Sequence, residues 1–376
     1  MNQTQSRPTM NRRDFLKFLA VAGVTATGSY VLFEYAPWLN YDQQAADMRK
    51  PFEKESAKSA QMQELIRYAT LAANGHNTQP WKFAIKENGI EIHPDYVRRL
   101  SVVDPHDREL WVSLGCALEN LLVAARATGY APEVTYPEAE DFIHVRFTSD
   151  APQSNSPLFD AIPLRQNTRS EYDGKTVANS DLDQIQALSL EPGVALHFVT
   201  NQIELETVLE YVNQGNLSQY ADRDFLDELI HWLRFNKKEA LTSLDGLYSS
   251  CSGNPEVPRW LGQMFVAGIK PQQQADTDAK KLRSSSGAVV VATESDDKLA
   301  WVRTGQVYER MALKMTSLNI KSAFLNQPIE IADIRGQFQN AIGLENDQPQ
   351  LLVRYGYADP MPRSVRRPVE QVLIQS

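Results

Sequence analysis

The densest run of side chains able to meet a ligand is Asn74-Gly75-His76-Asn77-Thr78-Gln79, which leads into Pro80-Trp81. Small and carboxamide residues dominate it, so backbone N–H groups and amide side chains can be brought against a flat polar ligand. Pro80 and Trp81 then turn the chain into Lys82-Phe83-Ala84-Ile85, a strand pattern. The plainer reading is a helix-to-strand loop with a buried Trp. Two clusters of cations follow: Arg165-x-Asn167-x-Arg169, and the tail residues Arg363, Arg366 and Arg367. A solvated basic tail is the plain reading of the last three. Other chemistries fail on spacing. The histidines 76, 93, 106, 144, 197 and 231 are scattered, with no His-x-x-x-His or Cys-x-x-Cys pair, so no metal is expected. Gly-x-Gly-x-x-Gly after a strand and Gly-x-Ser-x-Gly are absent, and Gly174-Lys175-Thr176 has Arg169 where a phosphate loop needs its first Gly, so no such loop is expected.

The elements that must position these residues follow from periodicity. Gln61 to Ala73 keeps one helical side apolar and delivers the chain to the carboxamide loop. Strands are expected around Lys82–Ile85 and Ile90–His93. Leu110 starts a strong helix carrying Trp111, Leu114, Leu118, Leu121, Leu122 and Ala125, and Gly129 ends it. Val134–Tyr136 and Ile143–Phe147 read as strands. The polar stretch Ser149–Ser156 is the best candidate boundary. Beyond it come a helix over Ser180–Leu190, a strand over Ala195–Thr200, and helices over Glu204–Val212 and Asp222–Lys237. Glu239–Lys281 is irregular. A buried strand at Ala288–Ala292, a helix at Leu299–Leu318 and a strand at Leu351–Tyr355 complete the pattern.

The chain has 376 residues, room for about two domains, and an ordinary apolar fraction of 42%. A net charge of -9 argues against nucleic acid or an anionic membrane surface as the main partner. Only Cys116 and Cys251 occur, which excludes a disulfide framework. Near the start, Asn11-Arg12-Arg13-Asp14-Phe15-Leu16-Lys17 precedes a weakly apolar run from Phe18 to Phe33. It looks like a twin-arginine export signal. Residues 1–40 are therefore expected to be a signal or an N-terminal anchor. The twin-arginine translocase is then a partner, and the folded protein is periplasmic or held to the inner membrane by an uncleaved segment. Residues 41–59, charged and mixed, read as a linker.

An internal repeat links the two halves, 60–150 and 157–376. Trp111-Val112-x-x-Gly115-x-x-x-Glu119 recurs as Trp301-Val302-x-x-Gly305-x-x-x-Glu309, each time on a helix flanked by strands. The plain reading of the two Glu residues is a solvated helix face.

From Gln61 to Leu373 the chain resembles the flavin-dependent nitroreductase family, through Asn77-Thr78-Gln79-Pro80-Trp81, Arg165-x-Asn167-x-Arg169, Pro328-Ile329-Glu330 and the basic tail. It is most similar to the exported relatives of the mycobacterial Acg-type flavoproteins. The resemblance implies an α+β fold that binds FMN between two subunits, each contributing part of every site. Here the first half holds the carboxamide loop, while the second half holds the arginines. The expectation is thus a single-chain pseudo-dimer, monomeric, with one intact FMN site and an insertion at about 202–283 that could act as a lid.

Carried over by position, Arg165, Arg363, Arg366 and Arg367 are candidates for the phosphate. Arg169 would sit at the N1–C2 carbonyl side of the flavin, where a cation raises the reduction potential. Asn167 replaces the family's Ser or Thr. Asn74, Gly75, His76, Asn77 and Gln79 would line the ring, with Pro328, Ile329 and Glu330 near N5. No residue is assigned as catalytic, because the flavin carries the chemistry. The implied activity is ping-pong, two-electron reduction of a nitroaromatic, quinone or similar small acceptor, with NAD(P)H or another reductant as donor. The alternative is a flavin-binding or flavin-storing protein with a covered cofactor and no ordinary turnover.

Overall fold

The computed structural model describes residues 40–53, 57–136, 141–149, 151–153 and 156–374. The expected export segment falls almost wholly outside them. The first half runs α1 (Lys58–Ala69), β1 (Trp81–Lys86), β2 (Gly89–Pro94), α2 (Arg108–Ala127), β3 (Ala131–Thr135) and β4 (Ile143–Thr148). The second half begins with α3 (Asn179–Gln186) and β5 (Val194–Val199). After an excursion it resumes with β8 (Gly287–Thr293), α9 (Lys298–Ser317), β9 (Lys321–Phe324) and β10 (Gln348–Gly356).

The strand orders are β1-β2-β4-β3 and β5-β8-β10-β9, antiparallel throughout. Placing β5, β8, β9 and β10 on β1, β2, β3 and β4 makes the two orders identical. The halves differ in one connection. β1 turns into β2 through Glu87 and Asn88, whereas β5 reaches β8 through the excursion. That excursion contains α4 (Gln202–Gln219), α5 (Arg223–Trp232), β6 (Leu233–Arg234), α6 (Lys237–Ser243), β7 (Leu247–Tyr248), α7 (Arg259–Ala267) and α8 (Pro271–Arg283). The helix expected over Asp222–Lys237 breaks at Trp232. Leu233 is extended, and the Asn236 side chain accepts from Glu239 N–H at 3.0 Å to start a new helix.

α2 is buried along nearly its whole length, as an all-round apolar helix must be in a water-soluble fold. Among the described residues it is the helix long and apolar enough to cross a membrane, and 89% of that window is buried inside the protein. It lies against α9, and the repeat is the contact. A Cβ on Gly115 would stand 2.0 Å from the Val302 carbonyl oxygen, and one on Gly305 would stand 2.0 Å from that of Val112. The reciprocity explains why both copies keep Val-x-x-Gly.

The repeat's glutamates are not on a solvated face. Both are buried: Glu119 takes Arg310 at 2.7 Å, and Glu309 takes Arg165 at 2.9 Å. Nor is the whole of 41–59 a linker. Tyr41–Asp47 is a helix, Tyr41 is fully buried against Tyr248, and its hydroxyl donates to the Arg363 carbonyl at 2.8 Å. Arg67 holds the carbonyls of Met48, Lys50 and Pro51. The charged composition concealed one apolar pair, Tyr41 and Ala45, spaced for a single helix face.

A Gly115→Val chain is expected to lose at least about 3 kcal/mol of stability, because backbone meets backbone and neither helix can yield alone. Urea unfolding checks this, and a loss below about 1 kcal/mol would contradict the close approach.

Candidate functional site

Three residues of the carboxamide loop, His76, Asn77 and Gln79, have φ values of 47°, 54° and 53°, in the left-handed region that non-glycine residues avoid. Such a backbone persists only when its surroundings over-determine it. Within the loop, Asn74 Oδ1 accepts from Gln79 N–H at 2.9 Å. Across the chain, Asn77 and Gly246 exchange two hydrogen bonds, Asn77 Nδ2 to the Gly246 carbonyl at 3.0 Å and Gly246 N–H to the Asn77 carbonyl at 3.1 Å. Gln79 Nε2 donates to the Leu244 carbonyl at 2.8 Å, and its Oε1 accepts from Arg367 N–H at 2.8 Å. Asp245 lies between Arg98 and Arg234. The insertion and the tail thus clamp the loop from two sides.

The clamped loop forms part of two adjoining cavities, of about 240 and 60 Å³, which share Ala73, Asn74, Arg169 and Leu247 in their walls. The smaller one is lined by Arg49, Arg165, Arg169, Arg363 and Arg366. Arg165 is paired with buried Glu309, which also accepts from Ala73 N–H at 3.2 Å. Arg49, Arg363 and Arg366 are held by backbone carbonyls: Ser364 at 2.8 Å, Arg165 at 3.1 Å and Thr70 at 2.9 Å respectively. Crowded cations raise one another's free energy, and burial adds to it. Burial first, and then Arg363 and Arg165, pull Arg49 down to about 10; burial, Arg49 and Arg165 pull Arg366 well below its ordinary range. Such a cluster has the charge to hold an anion of more than one charge.

Arg169 stands apart. It faces both cavities, and among the described residues no carboxylate or carbonyl is within hydrogen-bonding reach of its guanidinium. Burial lowers its pKa. Beside it, burial and then Arg169 hold His76 at about 4, so the imidazole is neutral at pH 7.

The larger cavity is walled on one side by Glu109, Ser113 and Cys116 of α2, three residues that share one helix face at i, i+4 and i+7. Asn326, Gln327 and Glu330 face it from α10 (Gln327–Glu330) and its start; Gln219, Tyr220, Phe225 and Leu229 do so from the insertion. Burial first, then Glu330, raises Glu109 to about 8, against the opposing pull of Arg108 at 3.0 Å.

Of the residues singled out from sequence, Asn74, Gly75, His76, Arg169 and Glu330 line the larger cavity. Asn77, Arg165, Asn167, Arg363 and Arg366 line the smaller. Pro328 and Ile329 are buried behind Glu330. Gln79 and Arg367 are not in either wall. They brace the loop, with Arg367 also bound to the Trp81 carbonyl at 3.2 Å and facing Asp95 at 3.5 Å. Arg49 was hidden in what read as a linker. Glu109 had a signal, the polar line it makes with Ser113 and Cys116 on an otherwise apolar helix. Gln219 and Asn326 had none, because only the tertiary fold brings them in.

Two curated relatives span most of the chain. "Putative NAD(P)H nitroreductase Rv3131" of Mycobacterium tuberculosis is 29% identical over 331 residues, covering 82% of this chain and 90% of its own. "Putative NAD(P)H nitroreductase acg" of the same organism is 23% identical over 321 residues, covering 82% and 93%. The two support a place in the nitroreductase superfamily. Among solved structures, the FMN-dependent nitroreductase NfnB of Mycobacterium smegmatis, in complex with NADPH, is 12% identical over 54% of this chain and 88% of its own, with a TM-score of 0.34. A nitroreductase with bound FMN from Desulfitobacterium hafniense is 12% identical, covers 59% and 100%, and has a TM-score of 0.37. No family model matches the sequence.

The raised Glu109 fixes the sign of one pH effect in this chain. The folded state holds a proton that the unfolded state releases above the ordinary carboxylate range. Its stabilisation is therefore complete at low pH and is lost as pH rises through about 8. Between about pH 5.5 and 7, wild type is expected to lose about 1.4 kcal/mol per pH unit relative to Glu109→Gln, the slope halving by about pH 8. Parallel melting curves of the two chains would refute this.

Proposed function

We propose that the chain is an FMN-dependent oxidoreductase of nitroreductase type, which reduces a nitroaromatic, quinone or similar acceptor by two electrons in a ping-pong cycle. The observation that carries this reading is the cluster of five guanidinium groups, with Glu309 as its carboxylate, opening onto a larger cavity edged by carboxamides. The residues fit the cofactor. Arg49, Arg165, Arg363 and Arg366 would hold the phosphate. Arg169, unpaired at the junction, would oppose negative charge on the ring. Asn77 Oδ1, buried and without a donor, has room for a ligand N–H or O–H. Bound there, FMN supplies two-electron chemistry, while the protein orients the ring, excludes water and sets its charge environment.

The identical strand orders and the reciprocal Gly115/Gly305 contact support a single-chain pseudo-dimer in which one cofactor site survives. Around the mirror-related glutamate, protein groups occupy the space. Arg310 joins Glu119 to Glu191 at 2.8 Å from each, and the Tyr136 hydroxyl donates to Gln306 at 2.8 Å. A chain that already contains both halves has no need of a second copy and is expected to be monomeric. We read the N-terminal segment as a twin-arginine signal that carries the loaded protein to the periplasm. NAD(P)H is the donor the relatives' names suggest, and a different reductant would be needed where free nicotinamide is scarce. A second reading, flavin storage without turnover, draws on the insertion's Tyr220, Phe225 and Leu229 in the cavity wall, where they could act as a lid.

Purified protein is expected to be yellow with one FMN per chain; two, or none, overturns the pseudo-dimer reading. Arg169→Met is expected to leave the melting of the flavin-free chain unchanged while weakening FMN binding about 10-fold or more. Arg165→Met strands Glu309 and is expected to cost about 3–5 kcal/mol. Equal effects of the two variants on flavin-free stability would contradict the assignment. Anaerobic NADPH is expected to bleach the flavin, and flavin reducible only by dithionite favours storage.

A further inference from the structure

Two carboxyl groups in the wall of the larger cavity, Glu109 and Glu330, are given no role above toward the phosphate or the charge on the ring. Glu109 comes from the first turn of α2, Glu330 from the end of α10, and the turn at Asn326 ties them together. Asn326 Nδ2 donates to Glu109 Oε1 at 3.3 Å, and the Asn326 carbonyl accepts from Glu330 N–H at 3.0 Å. Gln219 Nε2, reaching in from the insertion, donates to Glu330 Oε2.

The larger cavity carries both signs, with Arg169, Lys281 and Arg354 beside Asp278, Glu109 and Glu330, but the corner around the two glutamates is more acidic. Asp104 faces both carboxyls from the loop ahead of α2, and its Oδ2 accepts from Leu110 N–H at 2.9 Å. Arg108 is the cation among them, 3.0 Å from Glu109, and it also donates to the Gln350 carbonyl. Tyr220 adds a neutral phenol whose pKa is raised by burial, then by Asp278 and Glu330. In that corner Asp104, Glu109 and Glu330 meet Arg108, and ionising all three carboxyls would leave it net negative. Burial and then Glu330 raise Glu109, while burial and then Asp104 raise Glu330, whose hydrogen bond with Glu109 pulls the other way.

Resting on the FMN reading above, we propose that Glu109 and Glu330 share one proton and deliver it to the oxygen of a quinone-type acceptor held in the larger cavity. The balance closes. A hydride equivalent, two electrons and one hydrogen, comes from the reduced flavin. The O–H bond of the carboxyl pair breaks as the second O–H bond of the hydroquinone forms. The carboxylate left behind is stabilised by Arg108, Asn326 and Gln219, and it regains a proton from solvent before the next turn.

Glu330→Gln and Glu109→Gln test the pair, with Glu330→Asp as a conservative variant and flavin content and circular dichroism as checks on folding. The infrared carboxylic-acid band of wild type at pH 7 is expected to disappear in both Gln variants, whether or not flavin is bound. Steady-state reduction of a soluble benzoquinone is expected to fall about 100-fold. The alkaline limb of the wild-type rate profile should vanish with it, and Glu330→Asp should restore part of both. A yellow chain whose Gln variants keep the band, or the wild-type rate and pH profile, overturns the proton pair and leaves the FMN reading standing. A chain that cannot bind FMN overturns both.

Discussion

The close approach of α2 and α9 at Gly115 and Gly305 is the constraint on which the rest depends. Two helix backbones meet with no side chain between them, so their spacing is set by van der Waals contact of main chain and cannot drift. Each helix then presents a buried glutamate one turn farther on. Glu309 fixes Arg165 at the smaller cavity, and Glu119 fixes Arg310 in the mirror-related position. One pair is left beside open space while the other is sealed by Glu191. The two positions thus differ in the side chains around each glutamate and in the insertion, whose Gln219, Tyr220, Phe225 and Leu229 wall the larger cavity.

Much of the framework was legible because it rests on local periodicity. The apolar pattern from Leu110 marked α2 within two residues of its start, and the strands around Lys82 and Ile90 fell within β1 and β2. The constant offset between the two Trp-Val-x-x-Gly segments already implied a shared role. What periodicity could not convey was environment. Glu119 and Glu309 sit on helices whose neighbours are covered by another helix, and no feature of their own sequence distinguishes that from water.

The site was legible where residue type dictates chemistry and obscure where geometry does. Arginines and carboxamides advertise anion and amide recognition, so most of the singled-out residues line one cavity or the other. Gln79 and Arg367 have the right chemistry but spend it on each other and on backbone groups. Arg49 enters from a segment whose composition resembles a linker, because a helix of seven residues with one buried tyrosine leaves little trace in sequence. Breaks in structure were also hidden: the turn after Trp232 depends on Asn236 capping the next helix.

The clamp on the carboxamide loop has a consequence for the order of assembly. Asn77 hydrogen-bonds to the Gly246 carbonyl and, at 3.3 Å, to the Val365 carbonyl, partners 169 and 288 positions away. Contacts of such separation close last, after the loops between them have lost their freedom. During synthesis the first half can complete its sheet and helix while the strained loop still lacks both of its holders. The smaller cavity, walled in part by Arg363, Ser364 and Arg366, is complete only when the tail has docked against the loop. Docking of the tail, rather than folding of either half, completes the cluster of arginines.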